Sequence, residues 1–102
     1  MASWIGASPS QRFRQYILPA ARRAIASGEW DRCIADYDRQ IAEAQADLAA
    51  QIPDTFAFRQ RQRRIAGLER DRDSCIASRA RDLETIAEGE RRKADRSRAR
   101  QA

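Results

Sequence analysis

The chain has 102 residues, of which 42% are apolar, and it carries 20 Lys and Arg against 15 Asp and Glu, with two Cys and no His. This length allows one small domain, and because many of the apolar residues are alanine, the core must be thin. The lack of histidine removes the commonest general base, and no Gly-rich phosphate loop or run of roughly 20 apolar residues is present. We therefore expect a non-enzymatic chain with no cofactor, no metal site and no transmembrane segment.

The first 28 residues form a basic segment with four Arg and no acid. That composition is typical of a mitochondrial targeting segment, and an ordinary basic helix is the alternative. Ser8 and Pro9 suit an N-cap and first helical position, so we predict a helix over residues 9–26 that ends at Gly28. Pro19 should kink or split it. Trp4, which precedes this helix, is interpreted as an anchor for a partner, with a disordered end as the alternative.

A second helix is predicted over residues 29–51. Its apolar residues recur in steps of four and three, as in a coiled-coil seam. They are Trp30, Ile34, Tyr37, Ile41, Ala44 and Leu48. The stretch IPDTF at 52–56 then breaks the helix, since Pro53 disfavours helix at the residue before it and Asp54 or Thr55 can cap a new one. This stretch predicts a hairpin turn.

A third, long helix is predicted from about residue 55 to past residue 88. Its apolar seam is interrupted by charged Arg72 and Arg79, whose stems can lie on apolar surface while the head groups pair at the edge. After Gly89 the chain lacks large apolar residues and is strongly basic. The predicted fold class is all-α: an N-terminal basic segment and helix (1–28), a long antiparallel coiled-coil-like hairpin (29–89) and a basic helical tail (90–102).

The two cysteines open similar stretches, CIAD at 33–36 and CIAS at 75–78. In an antiparallel hairpin folded about Asp54, residues whose numbers add to about 108 face each other, which places Cys33 level with Cys75 and Arg72 level with Asp36. We therefore predict a structural disulfide that closes a loop of about 40 residues. Two buried thiols or a duplicated unit are the alternatives. Two cysteines without histidine make a poor zinc site, and no C-x-x-C motif for thiol exchange is present.

A helical hairpin tied by a disulfide and followed by a basic helical tail resembles the coiled-coil-helix-coiled-coil-helix proteins. That family has two disulfides, and this chain has one candidate, Cys33–Cys75. The resemblance implies an accessory subunit of a mitochondrial respiratory complex, located in the intermembrane space or at the periphery of the inner membrane. A disulfide fits such an oxidising compartment. The implied partners are other protein subunits.

Two basic runs, RQRQRR at 59–64 and RRKADRSRAR at 91–100, suit phosphate groups. The first run lies opposite the acidic second helix, where Glu43, Asp47 and Asp54 are expected to pair with it. The second run can contact a partner protein or anionic lipid headgroups. Neither run contains an aromatic residue for base stacking. A basic nucleic-acid-associated protein of bacterial or phage origin, in the cytoplasm or the phage particle, is therefore the alternative function. The residues predicted to bind partners are Trp4, Phe13, Arg91, Arg92, Lys93, Arg96, Arg98 and Arg100.

Overall fold

The fold was analysed in a computed structural model that describes residue 6 and residues 8–101. The described residues form helices joined by turns and include no β-strand. The predicted all-α fold class is thus confirmed. In chain order the elements are α1 (Pro9–Arg12), a π-helical turn (Phe13–Ile17), α2 (Leu18–Ser27), α3 (Glu29–Ala49) and α4 (Phe56–Gln101).

The N-terminal helix begins and divides where the sequence indicates. Ser8 and Gln11 form a capping box, in which the Gln11 N–H donates to Ser8 Oγ and the Ser8 N–H donates to Gln11 Oε1, both at 3.2 Å. Pro19 lies at the start of α2, directly after the π-helical turn. Because proline has no N–H, it fits the first turn of a helix, and the π-helical turn divides the predicted helix just before it. Gly28 ends α2 in the left-handed conformation, at φ 71°.

The turn between α3 and α4 contains the predicted helix cap. Asp54 adopts a positive φ of 66°, which aspartate tolerates better than most residues. Thr55 Oγ1 donates to the Ile52 carbonyl at 2.8 Å and accepts from the Phe58 N–H at 3.2 Å. The first bond stabilises the turn that follows α3, and the second caps the start of α4, which runs antiparallel to α3.

The chain divides into two compact units, and α4 contributes to both. One unit is Glu29–Ser78, and the other combines Met1–Gly28 with Arg79–Ala102. The Glu29–Ser78 unit is the hairpin of α3 and the first half of α4. Ile41, Ala44, Ile65 and Leu68 form its buried core, with Tyr37 and Leu48 packed against them. All but Ala44 are branched or aromatic, yet the set is small, so this core is thin as expected.

In the other unit, the π-helical turn and α2 contact the C-terminal part of α4. Leu18 of α2 lies directly over Gly89, where an added Cβ would be 2.8 Å from Leu18 Cδ2. Gly89 is therefore a point of close helix approach, and α4 continues through it to Gln101 without a break. Arg22 pairs with Glu90 at 3.2 Å beside this contact.

Candidate functional site

The predicted disulfide is formed. Cys33 on α3 and Cys75 on α4 are bonded, their Cα atoms are 6.5 Å apart, and 42 positions separate them in the chain. That Cα separation lies within the range that disulfides span. Cys75 is buried and takes the seam position, whereas the next residue, Ile76, is 45% exposed. The bond ties the hairpin far from its turn, which fixes the register of α3 against α4.

Arg72 lies one turn from the disulfide and pairs across the hairpin, but with a different acid from the one predicted. Its Nη1 lies 3.3 Å from Asp38 Oδ1, and its Nε lies 3.6 Å from Asp73 Oδ1. The predicted partner, Asp36, instead accepts hydrogen bonds from Arg39 and Gln40 on its own helix, which lower its pKa. Two positions along a helix point nearly opposite ways, so only Asp38 is placed to reach Arg72.

The expected pairing of the arginines at 59–64 with acids of α3 is wrong. Within the described chain, none of these four arginines has a carboxylate oxygen within 4 Å. Glu43 pairs instead with Arg39 at 3.1 Å, and Arg59 donates to the main-chain carbonyl of Asp54 at 2.8 Å. Residues 55–68 contain four Arg and no acid, so positive charge remains unmatched beside the turn.

Two large exposed apolar side chains lie in the turn that precedes these arginines and at the first residue of α4. Ile52 is 74% exposed and Phe56 is 65% exposed. Phe56, Arg59 and Arg63 follow one another at spacings of three and four, which places them on one side of α4. Phe56 is nine residues from buried Ile65, about two and a half turns, so this side faces away from the core. We call Ile52, Phe56, Arg59 and Arg63 the turn patch.

The basic tail carries fewer unmatched charges than its composition suggests. Arg91 pairs with Glu84 at 2.8 Å and with Glu88 at 2.7 Å, and Arg92 also pairs with Glu88, at 3.0 Å. These hydrogen bonds lower the pKa of Glu88. Arg98 pairs with Asp95.

Three other cations of the tail have no carboxylate within 4 Å in the part of the chain that the structure describes. They are Lys93, Arg96 and Arg100, and all three are exposed. Their spacing of three and four aligns them along one side of α4. We call them the tail stripe.

Of the two predicted aromatic anchors, Phe13 lies inside the fold. It is 9% exposed, and the Arg92 guanidinium lies over its ring at 3.9 Å from the centroid. This is a cation–π contact within the chain. Phe13 and Arg92 therefore hold the N-terminal segment to α4, with Phe13 itself buried in that contact. Trp4 lies outside the described residues.

Sequence reasoning missed the turn patch. The local signals at Ile52 and Phe56 are those of a turn, and such signals do not by themselves indicate a contact surface. A signal was present, because Phe58 and Ile65 define the seam of α4 and Phe56 does not fall on it. A large apolar residue off the seam and next to a turn indicates an exposed apolar group.

The described surface offers no enclosed site. No pocket is detected in it, and no three His, Cys, Asp or Glu residues there are grouped to hold a metal ion. None of the described helices has an apolar stretch long enough to cross a membrane. No protein-family model, curated protein or solved structure matches the chain.

Proposed function

We propose that the chain is a non-catalytic structural, accessory or assembly subunit of a larger protein complex. The observation that carries this proposal is how little of the described chain is fully buried. No large side chain in it is less than 2% exposed, while six large apolar side chains are at least 36% exposed. These are Tyr16, Ile17, Ile52, Phe56, Ile76 and Leu83. Single exposed apolar residues are ordinary, but next to so thin a core they supply the apolar contacts of a partner interface.

The proposed compartment is oxidising, since structural disulfides form and persist chiefly in such compartments. The basic, acid-free first 28 residues favour the mitochondrial intermembrane space or the periphery of the inner membrane. The disulfide-bonded hairpin with its basic helical end is also what supports the likeness to coiled-coil-helix-coiled-coil-helix proteins. On that basis the complex is proposed to be a respiratory one, with other subunits as the partners.

Native electrophoresis of a mild-detergent extract from the source cells tests the proposal. Immunoblotting should place the chain in a band far above its own 11.7 kDa. Because apolar contacts are not screened by salt, this band should survive about 0.5 M NaCl, and it should also survive nuclease treatment. A chain found only at its monomer mass would contradict the proposal.

The compartment is tested separately by the thiol state of the native protein. Cells are quenched in acid, free thiols are alkylated, and peptides are mapped without reduction. A linked Cys33–Cys75 peptide in the mitochondrial fraction is expected. Two alkylated cysteines in that fraction would exclude the oxidising compartment while leaving the subunit proposal to the native gel.

One observation favours a second function, nucleic-acid binding: the four arginines at 59–64 have no carboxylate partner in the described chain. If they contact phosphates, the logarithm of the affinity for duplex DNA should fall with the logarithm of salt at a slope of about −3 to −4. A flat salt dependence would favour the subunit function. Loss of the high-mass band on nuclease treatment would favour nucleic-acid binding.

A further inference from the structure

The turn patch combines two chemistries that seldom occur together on a free surface. Ile52 and Phe56 present apolar side chains that are 74% and 65% exposed. Arg59 and Arg63 present guanidinium groups with no carboxylate within 4 Å in the described chain. All four residues lie in the Glu29–Ser78 unit, whose register the disulfide fixes.

We propose that the turn patch docks the hairpin onto an anionic lipid surface. At a bilayer interface, apolar side chains enter the boundary between headgroups and acyl chains, while arginines bind the lipid phosphates, which lie nearer the water. The turn patch supplies both kinds of side chain next to each other at one end of the hairpin. This proposal goes beyond the subunit function and does not depend on it. It assigns two of the six exposed apolar side chains, Ile52 and Phe56, to lipid and leaves the other four to protein partners.

Charge complementarity selects a lipid surface over the other occupants. An acidic protein would match Arg59 and Arg63 but would leave Ile52 and Phe56 to be covered separately. Nucleic acid would match the arginines and could stack on Phe56, but it offers an aliphatic side chain such as Ile52 no partner. An anionic bilayer satisfies all four side chains. Asp54, the one acid within the turn, lies beside the patch and weakens the attraction without cancelling it.

The proposal also assigns the lipid contact to the turn rather than to the tail. In the tail, Arg91, Arg92 and Arg98 are already paired with acids of the same helix. The tail stripe has three cations without a carboxylate partner in the described chain. No large exposed apolar side chain lies among or after these cations in the described residues. Polybasic attraction by itself weakens as salt rises, whereas an apolar anchor retains part of its binding.

The experiment is co-sedimentation of the oxidised full-length chain with vesicles at about 0.1 M NaCl. The vesicles are phosphatidylcholine alone, or phosphatidylcholine with about one quarter phosphatidylglycerol. We expect binding to the anionic vesicles and none to the neutral ones. R59Q/R63Q should weaken binding about 25-fold, at about fivefold for each arginine. F56S should weaken it about tenfold through lost apolar burial.

Matched controls separate this surface from general charge and apolar effects. K93Q/R96Q removes the same charge from the tail stripe, and I76S removes an exposed apolar side chain elsewhere on α4. Both should bind within about twofold of the parent chain. Circular dichroism checks that each variant keeps its helix content, which is expected because every substituted side chain is exposed.

Three results would overturn the proposal. Equal loss in K93Q/R96Q and R59Q/R63Q would mean that binding follows net charge alone. An unchanged affinity in F56S would remove the apolar half of the contact. Absence of binding to the anionic vesicles would refute the lipid contact, and duplex DNA bound instead through Arg59 and Arg63 would assign the patch to nucleic acid. None of these results bears on the native-gel test of the subunit function, so the two proposals fail separately.

Discussion

Reducing the Cys33–Cys75 bond should lower the stability of the hairpin more than any single side-chain change. The bond closes a loop over 42 positions. In the chain-entropy treatment, a loop of that length restricts the unfolded chain enough to stabilise the fold by about 4 kcal/mol at 25 °C. A domain of about 100 residues has a total unfolding free energy of only about 5–15 kcal/mol. The disulfide is therefore expected to supply a quarter or more of it.

That figure converts into a large shift of the melting temperature. For a domain of this size each kcal/mol corresponds to about 4–8 °C, so reduction should lower the melting temperature by about 15–30 °C. The folded hairpin should change little, because Cys75 stays buried as a thiol and the seam contacts of Ile41, Ile65 and Leu68 remain. The effect should thus appear in stability rather than in helix content at low temperature.

Thermal unfolding followed by circular dichroism at 222 nm, with and without a phosphine reductant, measures the shift. C33S/C75S is the matched control: it should melt near the reduced parent chain, and the reductant should not change its melting temperature. A shift below about 5 °C on reduction would refute the reasoning, since it would mean that the unfolded chain is not the state the bond restricts. A reductant-dependent shift in the serine variant would show that the reductant acts elsewhere.

Three further predictions concern single positions. G67A should raise the free energy of unfolding by about 0.5–1 kcal/mol through helix propensity. For G89A the change in that free energy should be at least about 1 kcal/mol less favourable, because the added Cβ would meet a leucine side chain at 2.8 Å. Urea unfolding of the two variants measures the difference. In the same assay, R72M should have a free energy of unfolding within about 1 kcal/mol of the parent chain. It keeps the apolar stem and removes a buried Nε that has no hydrogen-bond partner in the described chain. R72A also removes the stem, so it should lower the free energy of unfolding by about 1–2 kcal/mol through lost packing. The carboxyl of Glu88 should titrate below its usual pKa of 4.5, so its ion pairs are present above that pH and are lost as the pH falls through the lower, folded-state pKa. Carbon-detected NMR should show that R91Q raises the pKa of Glu88. An unchanged pKa would contradict the assigned cause.

The elements of this fold could be predicted from local sequence signals. Ser8 and Pro9 start the first helix, Pro19 splits it and Gly28 ends it, each through a conformational preference that acts within a few residues. Thr55 caps α4 for the same reason. The pairing of Cys33 with Cys75 could also be predicted, because one strong turn in an otherwise helical stretch fixes which residues are level in a hairpin.

What the sequence could not supply was the rotation of each helix about its own axis. Being level in a hairpin does not decide which side chains point across it. Asp36 is nearer than Asp38 to the level predicted for Arg72, yet Asp38 makes the pair. The same limit applies to Gly89, which was expected to precede a separate tail and instead receives Leu18 within a continuous helix. Contacts between distant segments decided both cases.

The fate of the arginines follows from where the acids lie within three or four positions of them. In the tail, Glu88 and Asp95 are at that distance from Arg91 and Arg98, so intrahelical pairs form there without help from another segment. Residues 55–68 contain no acid, and none of their arginines has a carboxylate within 4 Å across the hairpin in the described chain. Among the described residues, the run with fewer cations therefore leaves four of them without a carboxylate partner, against three in the longer run. That charge lies next to Ile52 and Phe56. An anionic partner with an apolar layer is therefore expected to make more favourable contacts at the turn than at the strongly basic tail.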